Sequence, residues 1–482
     1  MEGVERITNY CMKNGFIYPS SEIYGGLAGF YDYGHLGSKL KRNFESVWRK
    51  HFLSLHDNYV EIEASDIMHK EVFEASGHLK NFTDPVAISE KGSVERADHL
   101  VETKTGKNSE GLSENELFEK IKKEGIKSTV DGTSIKKVET MNLMFPLQAG
   151  KGVQAYLRPE TAQSPYVNFK RQFELQRKKL PLGLATLGKA YRNEISPRNF
   201  TVRLRGFSQA ELQIFFDPDK IGEQEGFEKV KDYDLKVQRL TARDKEPEYV
   251  KCASLAEHIP EMYVYHLAKV QEFYFEKLKI DKDKFRLKEL DDSEKAFYNK
   301  YHFDVEFYLE GIGWTEIGGV HYRTDHDLKG HQNVSGEKME VTDDNGKKFI
   351  PHVLEISLGI DRNIYALIDS NLSEKEGNTL LKIPSNLAPH QVAVFPLVKN
   401  KERVYNKARE IYEELRGKYN AVFDASGSIG RRYARQDEVG TPYCITIDFD
   451  GLEDDTVTLR YRDTSEQERV KIKDIEKKLS SS

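Results

Sequence analysis

The stretch AYRNEISPRNFTVRLRGFSQAELQIFF, residues 190–216, decides how the rest of the chain is read. It packs Arg192, Arg198, Arg203 and Arg205 into a segment that alternates and ends like a β-strand. Successive strand side chains point to opposite faces, so Arg192 and Glu194 share one face. Further on, Gln209, Glu211 and Gln213 fall on one face, with Ala210, Leu212 and Ile214 on the other. Arginine offers a permanently charged, planar fork of donors that suits phosphate. Glu194 cannot bind phosphate, but it can accept from an exocyclic amine, and Phe207 could stack on a base. The set suits ATP, with Arg192 on phosphate, Glu194 on the base edge and Phe207 on its face. Taken alone, the segment also suits a solvated, salt-bridged hairpin.

A second candidate lies at LEISLGIDR, residues 354–362, a strand that turns into a helix. Glu355 and Ser357 lie two apart and share a strand face. Gly359 permits close approach of a ligand. Arg362 falls in the first helical turn, near the positive dipole end, where it could hold a distal phosphate. Glu355 could also hold Mg²⁺, a hard ion that prefers carboxylate and phosphate oxygens. An ordinary strand–helix connection accounts for the same residues. In RPETAQ, residues 158–163, Glu160 sits in a turn leading to a helix. It could bind a substrate ammonium or serve only as an acid at the helix start. The histidines His321, His326 and His331 have a spacing that fits no zinc pattern, and Arg323, Asp325 and Asp327 look more useful there. No G-x-x-x-x-G-K-[ST] occurs, and GGLAGFYDYGHLG follows no strand as a dinucleotide fingerprint must, so it reads as turns.

The chain of 482 residues is too long for one ordinary core and implies two or three domains. Its net charge of −6 argues against indiscriminate coating of nucleic acid but leaves room for a local basic surface. Cys11, Cys252 and Cys444 are far apart, with no metal-ligand spacing and no disulfide framework, which suggests a reducing compartment. The N-terminal stretch has no apolar core and no run of about 18 apolar residues occurs anywhere. A cytoplasmic protein without a membrane segment is expected.

The pattern predicts a catalytic-type region over 1–370 with insertions at about 85–141 and 218–300. A polar linker follows over 371–388, and a small α/β domain over 389–482. Leu40, Phe44, Val47, Trp48 and Phe52 share one helical face, and YVEIEAS reads as a strand. The first insertion reads as polar surface with one short helix near ENELFEKIKKEG; the second reads as largely helical and charged. The fold class expected is α+β, an antiparallel sheet flanked by helices, followed by the α/β domain.

Together these segments resemble the signature motifs of class II aminoacyl-tRNA synthetases. YRNE, the arginine loop and Phe207 resemble motif 2, and EISLGIDR resembles motif 3. EIYGGLAGFYDYG, EASGH, RADHL, RPETAQ, YRNEISPRN, GWTEIGG and YRTDHDL are similar, in this order, to glycyl-tRNA synthetases of the homodimeric type. The resemblance spans nearly the whole chain, including a C-terminal domain like that family's anticodon-binding domain.

The resemblance implies a glycine–tRNA ligase that uses ATP, glycine, tRNA(Gly) and Mg²⁺ and works as a homodimer. By resemblance Arg192 holds the α-phosphate, Glu194 the adenine amine and Arg362 the γ-phosphate, while Phe207 stacks on adenine. Asn193, Val202, Arg203, Arg205, Ile317 and Gly359 join the ATP site, and Glu355 and Glu316 serve ATP and Mg²⁺. Arg192, Arg362 and Glu355 form the implied catalytic set. The glycine ammonium is expected among Glu160, Glu211, Glu355 and Ser357 with Gln209 nearby, and Arg96 and Arg323 approach the carboxylate or the adenylate. Arg431, Arg432, Tyr433 and Arg435 are candidates for tRNA contact.

The sequence departs from the family at four points. Gly206 replaces an acid beside Phe207, and Ser164–Pro165 replace a glycine and an apolar residue. The motif 1 strand lacks its proline. No paired cysteines precede RADHL, so no zinc is expected. Two other readings remain: a class II synthetase for another small amino acid, or a synthetase-like protein that only binds RNA or a partner.

Overall fold

The computed structural model describes residues 2–480 except 110, 297, 344 and 376. Its centre is a nine-stranded, mostly antiparallel sheet. In chain order the strands are β1 (Tyr59–Glu61), β2 (Leu182–Tyr191), β3 (Gly206–Phe216), β4 (Asp234–Gln238), β5 (Glu248–Lys251), β6 (Phe285–Glu289), β7 (His302–Leu309), β8 (Gly313–Thr324) and β9 (His352–Gly359). Across the sheet they run β5-β4-β6-β7-β8-β9-β3-β2-β1. The long hairpin β2–β3 carries the arginine-rich loop at its tip.

The expected alternation in β3 holds. Ala210, Leu212 and Ile214 are buried in the main core with Leu40, Phe44, Ile364 and Leu367. Those partners come from helices α1 (His35–Phe52) and α5 (Ile360–Asn371), which cover that face. The opposite face bears Gln209, Glu211 and Gln213, and these are buried too. A polar side chain so deep must find partners, which ties that face to the network described below.

Register lines up polar groups across four strands. Glu211 opposes Ser357, Ser357 opposes Gly319, and Gly319 opposes Asp304. In the next row Gln213, Glu355, His321 and His302 are aligned. Paired residues share a face, so these two rows form a polar floor. Helices α2 (Gln163–Leu175) and α4 (His326–Ser335) contribute further residues to its edge.

Both insertions differ from their expected form. Around 85–141 the chain builds a three-stranded sheet from Thr83–Ser89, Val94–Arg96 and Ile135–Asn142, with helices Ala97–Thr105 and Glu114–Lys123. Leu117 and Ile121 of the second helix are buried against Leu100 and Val101, giving the unit its own core. Its charged residues mask an amphipathic period. The helix begins with a capping box, Ser113 with Glu116. The 218–300 stretch supplies β4, β5 and β6 to the main sheet and a deeply buried helix, α3 (Glu261–Glu272). It is part of the core rather than an addition to it.

The expected linker is also structured. Leu372–Lys375 pairs with Asn378–Leu381, and Leu381, Ile383 and Leu387 join the main core. The C-terminal domain has five strands in the order Ala421–Phe423, Val392–Pro396, Tyr443–Ile447, Thr456–Tyr461 and Gln467–Lys471. The first three are parallel and the last two antiparallel. Helices Glu402–Arg416 and Ile429–Val439 pack on them.

Candidate active site

A cleft opens at the tip of the β2–β3 hairpin. It is lined by Arg192, Glu194, Val202, Arg203, Phe207, Gln209, Glu316, Ile317, Ser357, Gly359 and Arg362, with Thr201, Leu204, Ser208, Gly318 and Asp361. The sequence assigned most of the first group to an ATP site. Arg192 and Glu194 do not sit on the strand, as alternation suggested: β2 ends at Tyr191 and both lie in the loop beyond it. The loop keeps ladder contact through Arg192 N–H, which donates to Arg205 O at 2.9 Å. The Arg192 guanidinium lies between two rings, 5.3 Å from Phe207 and 5.5 Å from Phe82. Its Nε donates to Pro159 O at 3.1 Å. Across the cleft Arg362 donates through Nε to Val202 O at 2.9 Å and through Nη1 to Glu316 at 3.1 Å.

Two residues expected at the ATP site are committed elsewhere. Arg205 donates to Glu194 O at 2.8 Å and Ala28 O at 3.2 Å, bracing the loop from behind. Asn193 is held by its backbone, N–H to Leu143 O at 2.7 Å. Neither lines the cleft. Gly206 has a local explanation. A Cβ there would meet Phe30 ring carbons at 2.9 Å, so the ring occupies the space that a side chain would need. Phe30 belongs to the glycine-rich tract, which packs against the arginine loop instead of holding phosphate.

Below the cleft floor, Gln209 and Ser357 lead to a buried acidic pocket. Glu211 accepts from Ser357 Oγ at 2.6 Å, Gln209 Nε2 at 2.9 Å and Thr161 Oγ1 at 2.6 Å. Glu355 accepts from Gln213 Nε2 at 2.7 Å and Arg323 Nη1 at 3.1 Å. Glu160 accepts from Gln163 Nε2 at 2.8 Å and lies 3.7 Å from both His78 and Arg323. Arg323 also makes a bidentate pair with Asp327, at 2.9 and 3.1 Å. Three carboxylates, Glu355, Glu160 and Asp327, thus surround a single guanidinium, Glu211 adds a fourth acid to the pocket, and the surplus of acid suits a small cation.

The ionisation pattern follows from this crowding. Burial, with Glu355 and Glu160 nearby, pushes Glu211 up to about 8, against the pull of its Ser357 and Thr161 hydrogen bonds. Glu355 is likewise raised, chiefly by burial, with Arg323 opposing. Burial works against ionised Glu160 too, but His78 and Arg323 outweigh it and hold its carboxyl below the usual range. Burial and the neighbouring His302 and Arg323 keep His321 well below the ordinary histidine value.

Several expected roles change. Arg323 is buried and engaged by Asp327 and Glu355, so it organises acids and offers no free fork to a substrate carboxylate. Arg96 is occupied by Asp98, at 3.0 Å from Nε, and by Asp84 at 3.3 Å, and it does not line the cleft. Glu355 and Glu316 cannot share one cation. Glu355 pairs across the sheet with His321, which lies five residues along β8 from Glu316, a strand distance of roughly 16 Å. Glu316 alone fits a divalent ion bound with phosphates: its side chain is 52% exposed at the cleft. The cleft walls partly desolvate its carboxyl, but Arg362 outweighs them and holds it below the ordinary range, so it is ionised. Among the described residues no group of three or more His, Cys, Asp or Glu side chains forms a metal cage.

In the C-terminal domain, Arg432 is 2% exposed, with Nη2 donating to Gly427 O at 2.9 Å. Tyr433 bonds Thr446 Oγ1 at 2.7 Å and packs edge-on against Phe395. Arg432 is thus turned into the domain, while Tyr433 is half-buried. Arg431 and Arg435 are exposed, although Arg435 pairs with Asp424 at 3.0 Å.

Thr161, Phe82, Tyr33 and Asp361 entered the site without having been assigned a role from sequence. Thr161 adjoins Glu160 and could have been noticed. Phe82 and Tyr33 arrive through contacts between distant segments, for which no local pattern exists.

A sheet floor, an arginine loop and a strand–helix arginine around one cleft define the class: residues 147–371 match the tRNA synthetase class II core domain (G, H, P, S and T), and residues 391–482 match the anticodon binding domain. The chain belongs to the glycine–tRNA ligase family. It is 36% identical to the glycine–tRNA ligase of Aeropyrum pernix, with 98% of this chain and 96% of the relative covered. It is 38% identical to that of Pyrococcus horikoshii and 36% to that of Methanococcus vannielii, each with 98% of both chains covered. A crystal structure described as the RNA binding domain of threonyl-tRNA synthetase from Cryptosporidium parvum shares the fold. Its TM-score is 0.61 at 16% identity, covering 98% of each chain. No described helix is long and apolar enough to cross a membrane.

Proposed function

We propose that the chain activates glycine with ATP and passes it to tRNA(Gly), with ATP in the cleft and the glycine ammonium in the acidic pocket beneath it. The observation that carries this reading is Glu211, a buried carboxylate reached through Gln209 and Ser357 from a cleft flanked by two arginines. A cation is the ligand that relieves the repulsion among Glu211, Glu355 and Glu160.

Activation needs no general base, because the amino-acid carboxylate is ionised at neutral pH. One of its oxygens attacks the α-phosphorus, an O–P bond forms, and the bond to pyrophosphate breaks. Catalysis rests on alignment and on stabilising charge at the phosphoryl group. Arg192 leaves its place between Phe82 and Phe207 to meet the α-phosphate, and Arg362 exchanges Glu316 for the distal phosphate. Phe207 and Glu194 read the adenine. Mg²⁺ held by Glu316 and the phosphates would neutralise phosphate charge. In the second step a ribose hydroxyl at the tRNA end attacks the adenylate carbonyl and AMP departs. Glycine is chosen by exclusion. A filled pocket can reject a methyl by overlap, whereas contact with a methyl is worth only about 1–3 kcal/mol. A homodimer in the cytoplasm belongs to the same reading, supported by the family alone.

The test is exchange of labelled pyrophosphate into ATP, with glycine, alanine, serine and proline supplied separately. Exchange with glycine alone is expected. Exchange with another amino acid would overturn the glycine assignment, and none at all would favour a binding-only protein.

A further inference from the structure

Strand β9 ends at Gly359, opposite Gln209. Ser208, one residue beyond, still pairs with Lys189 of β2, but on the β9 side its backbone N–H has no strand to donate to. A buried N–H left unpaired is costly, so something must take it. The Asp361 carboxylate does, in a hydrogen bond from Ser208 N–H to Oδ2. Its other oxygen accepts from Tyr33 Oη at 2.6 Å, and its backbone carbonyl accepts from Thr201 Oγ1 at 3.4 Å. Asp361 is 3% exposed. It joins three segments: the glycine-rich tract through Tyr33, the arginine loop through Thr201, and β3 through Ser208. Ser208 lies between Phe207 and Gln209, and Asp361 directly precedes Arg362.

We infer that Asp361 is a positioning residue for the nucleotide: its carboxylate completes the frayed end of the sheet and so fixes the Phe207 ring opposite Arg362. It borders the cleft, but both its carboxylate oxygens are taken by Ser208 N–H and Tyr33 Oη. The acidic pocket hangs on a separate set of bonds, from Thr161, Gln209, Ser357 and Arg323. A defect at Asp361 should accordingly fall on ATP and spare glycine. The inference rests on the cleft being the ATP site.

The experiment measures KM for ATP and for glycine separately, by pyrophosphate exchange, in the full chain and its variants. Asp361→Ala is expected to raise KM for ATP about tenfold while leaving KM for glycine within about twofold. Asp361→Asn should restore most of the ATP affinity, since its Oδ1 accepts from Ser208 and its Nδ2 donates to Tyr33 Oη. Tyr33→Phe removes one anchor, keeps the ring, and should raise KM for ATP about threefold; it decides the matter should the alanine variant not fold. An unchanged KM for ATP in the folded variants, or equal loss for both substrates, would overturn the inference. So would equal impairment by asparagine and alanine. Absence of exchange in the unaltered chain would overturn the ATP reading and this inference together. Normal exchange with unaffected variants would overturn this inference alone.

Discussion

Glu211 sets the residue-scale behaviour of the pocket, because burial and like charge hold a proton there that an ammonium would displace. Its value of about 8 stands above the ordinary 4.5, so between those pH values the folded chain keeps a proton that the unfolded chain has lost. Stability from this group therefore falls as pH rises through that window, and Glu211→Gln should reduce the fall in thermal midpoint, with the share of the raised Glu355 remaining. Ligand binding has the opposite sense. Glycine must expel the proton, so its affinity should rise with pH up to about 8 and then level. Titration calorimetry below pH 8 in buffers of different ionisation enthalpy should register about one proton released per glycine bound. No release would mean that Glu211 is ionised in the empty site. Arg192 gives a second test at this scale. Arg192→Ala should cost about 3–4 kcal/mol in kcat/KM for exchange, as loss of a transition-state donor does. Retention of exchange would remove it from the phosphate.

At the scale of elements, the arginine loop owes its shape to a partner far from it in sequence. Phe30 fills the space beside Gly206, and Gly29, with φ of +82°, brings its carbonyl to Arg205 N–H at 2.8 Å. Gly206→Ala should overpack this contact and cost about 1–3 kcal/mol. Phe30→Ala should relieve the clash, giving a double-mutant coupling of about 0.5–3 kcal/mol in chemical denaturation. Additive losses would show that ring and glycine are independent. The same contact marks the limit of what the sequence could tell. The β3 alternation was legible because its period is local, and so was the Glu355–Ser357 spacing on β9. Their union was not: Glu211 meets Ser357 across 146 residues, and no period encodes such a pairing. The ion pairs of Arg323 and Arg96 were not legible for a related reason. A cation's availability depends on which acids surround it, and Asp327, Glu355, Asp84 and Asp98 become neighbours only in the fold. The insertions were misread because charge density hid the buried stripe of the first one's helix and the strands that the second adds to the main sheet.

The whole molecule joins its two principal parts through a continuous contact. The pairing of Leu372–Lys375 with Asn378–Leu381 leaves the core helix α5 and packs into the main core, while Tyr10 Oη donates to Glu438 O at 2.7 Å and Lys13 pairs with Glu438 at 2.8 Å. Glu438 lies on Ile429–Val439, the helix that also carries the arginines considered for tRNA. That helix presents Arg431 and Arg435 outward and turns Arg432 into the domain, so one run of basic residues divides into an exposed and a buried set. Replacing Arg431 by alanine should leave glycine-dependent exchange unchanged. It should raise KM for tRNA and reduce the salt dependence of tRNA binding by about one unit of log–log slope, as loss of one phosphate contact does. Arg432→Ala should instead lower stability by about 1–3 kcal/mol, since it strips buried carbonyls of their donor. At equal folded fraction it should leave the salt slope as it was. Steady-state charging at several salt concentrations, beside thermal denaturation, separates the two. A slope change from Arg432→Ala alone would mean that the helix turns over to meet RNA.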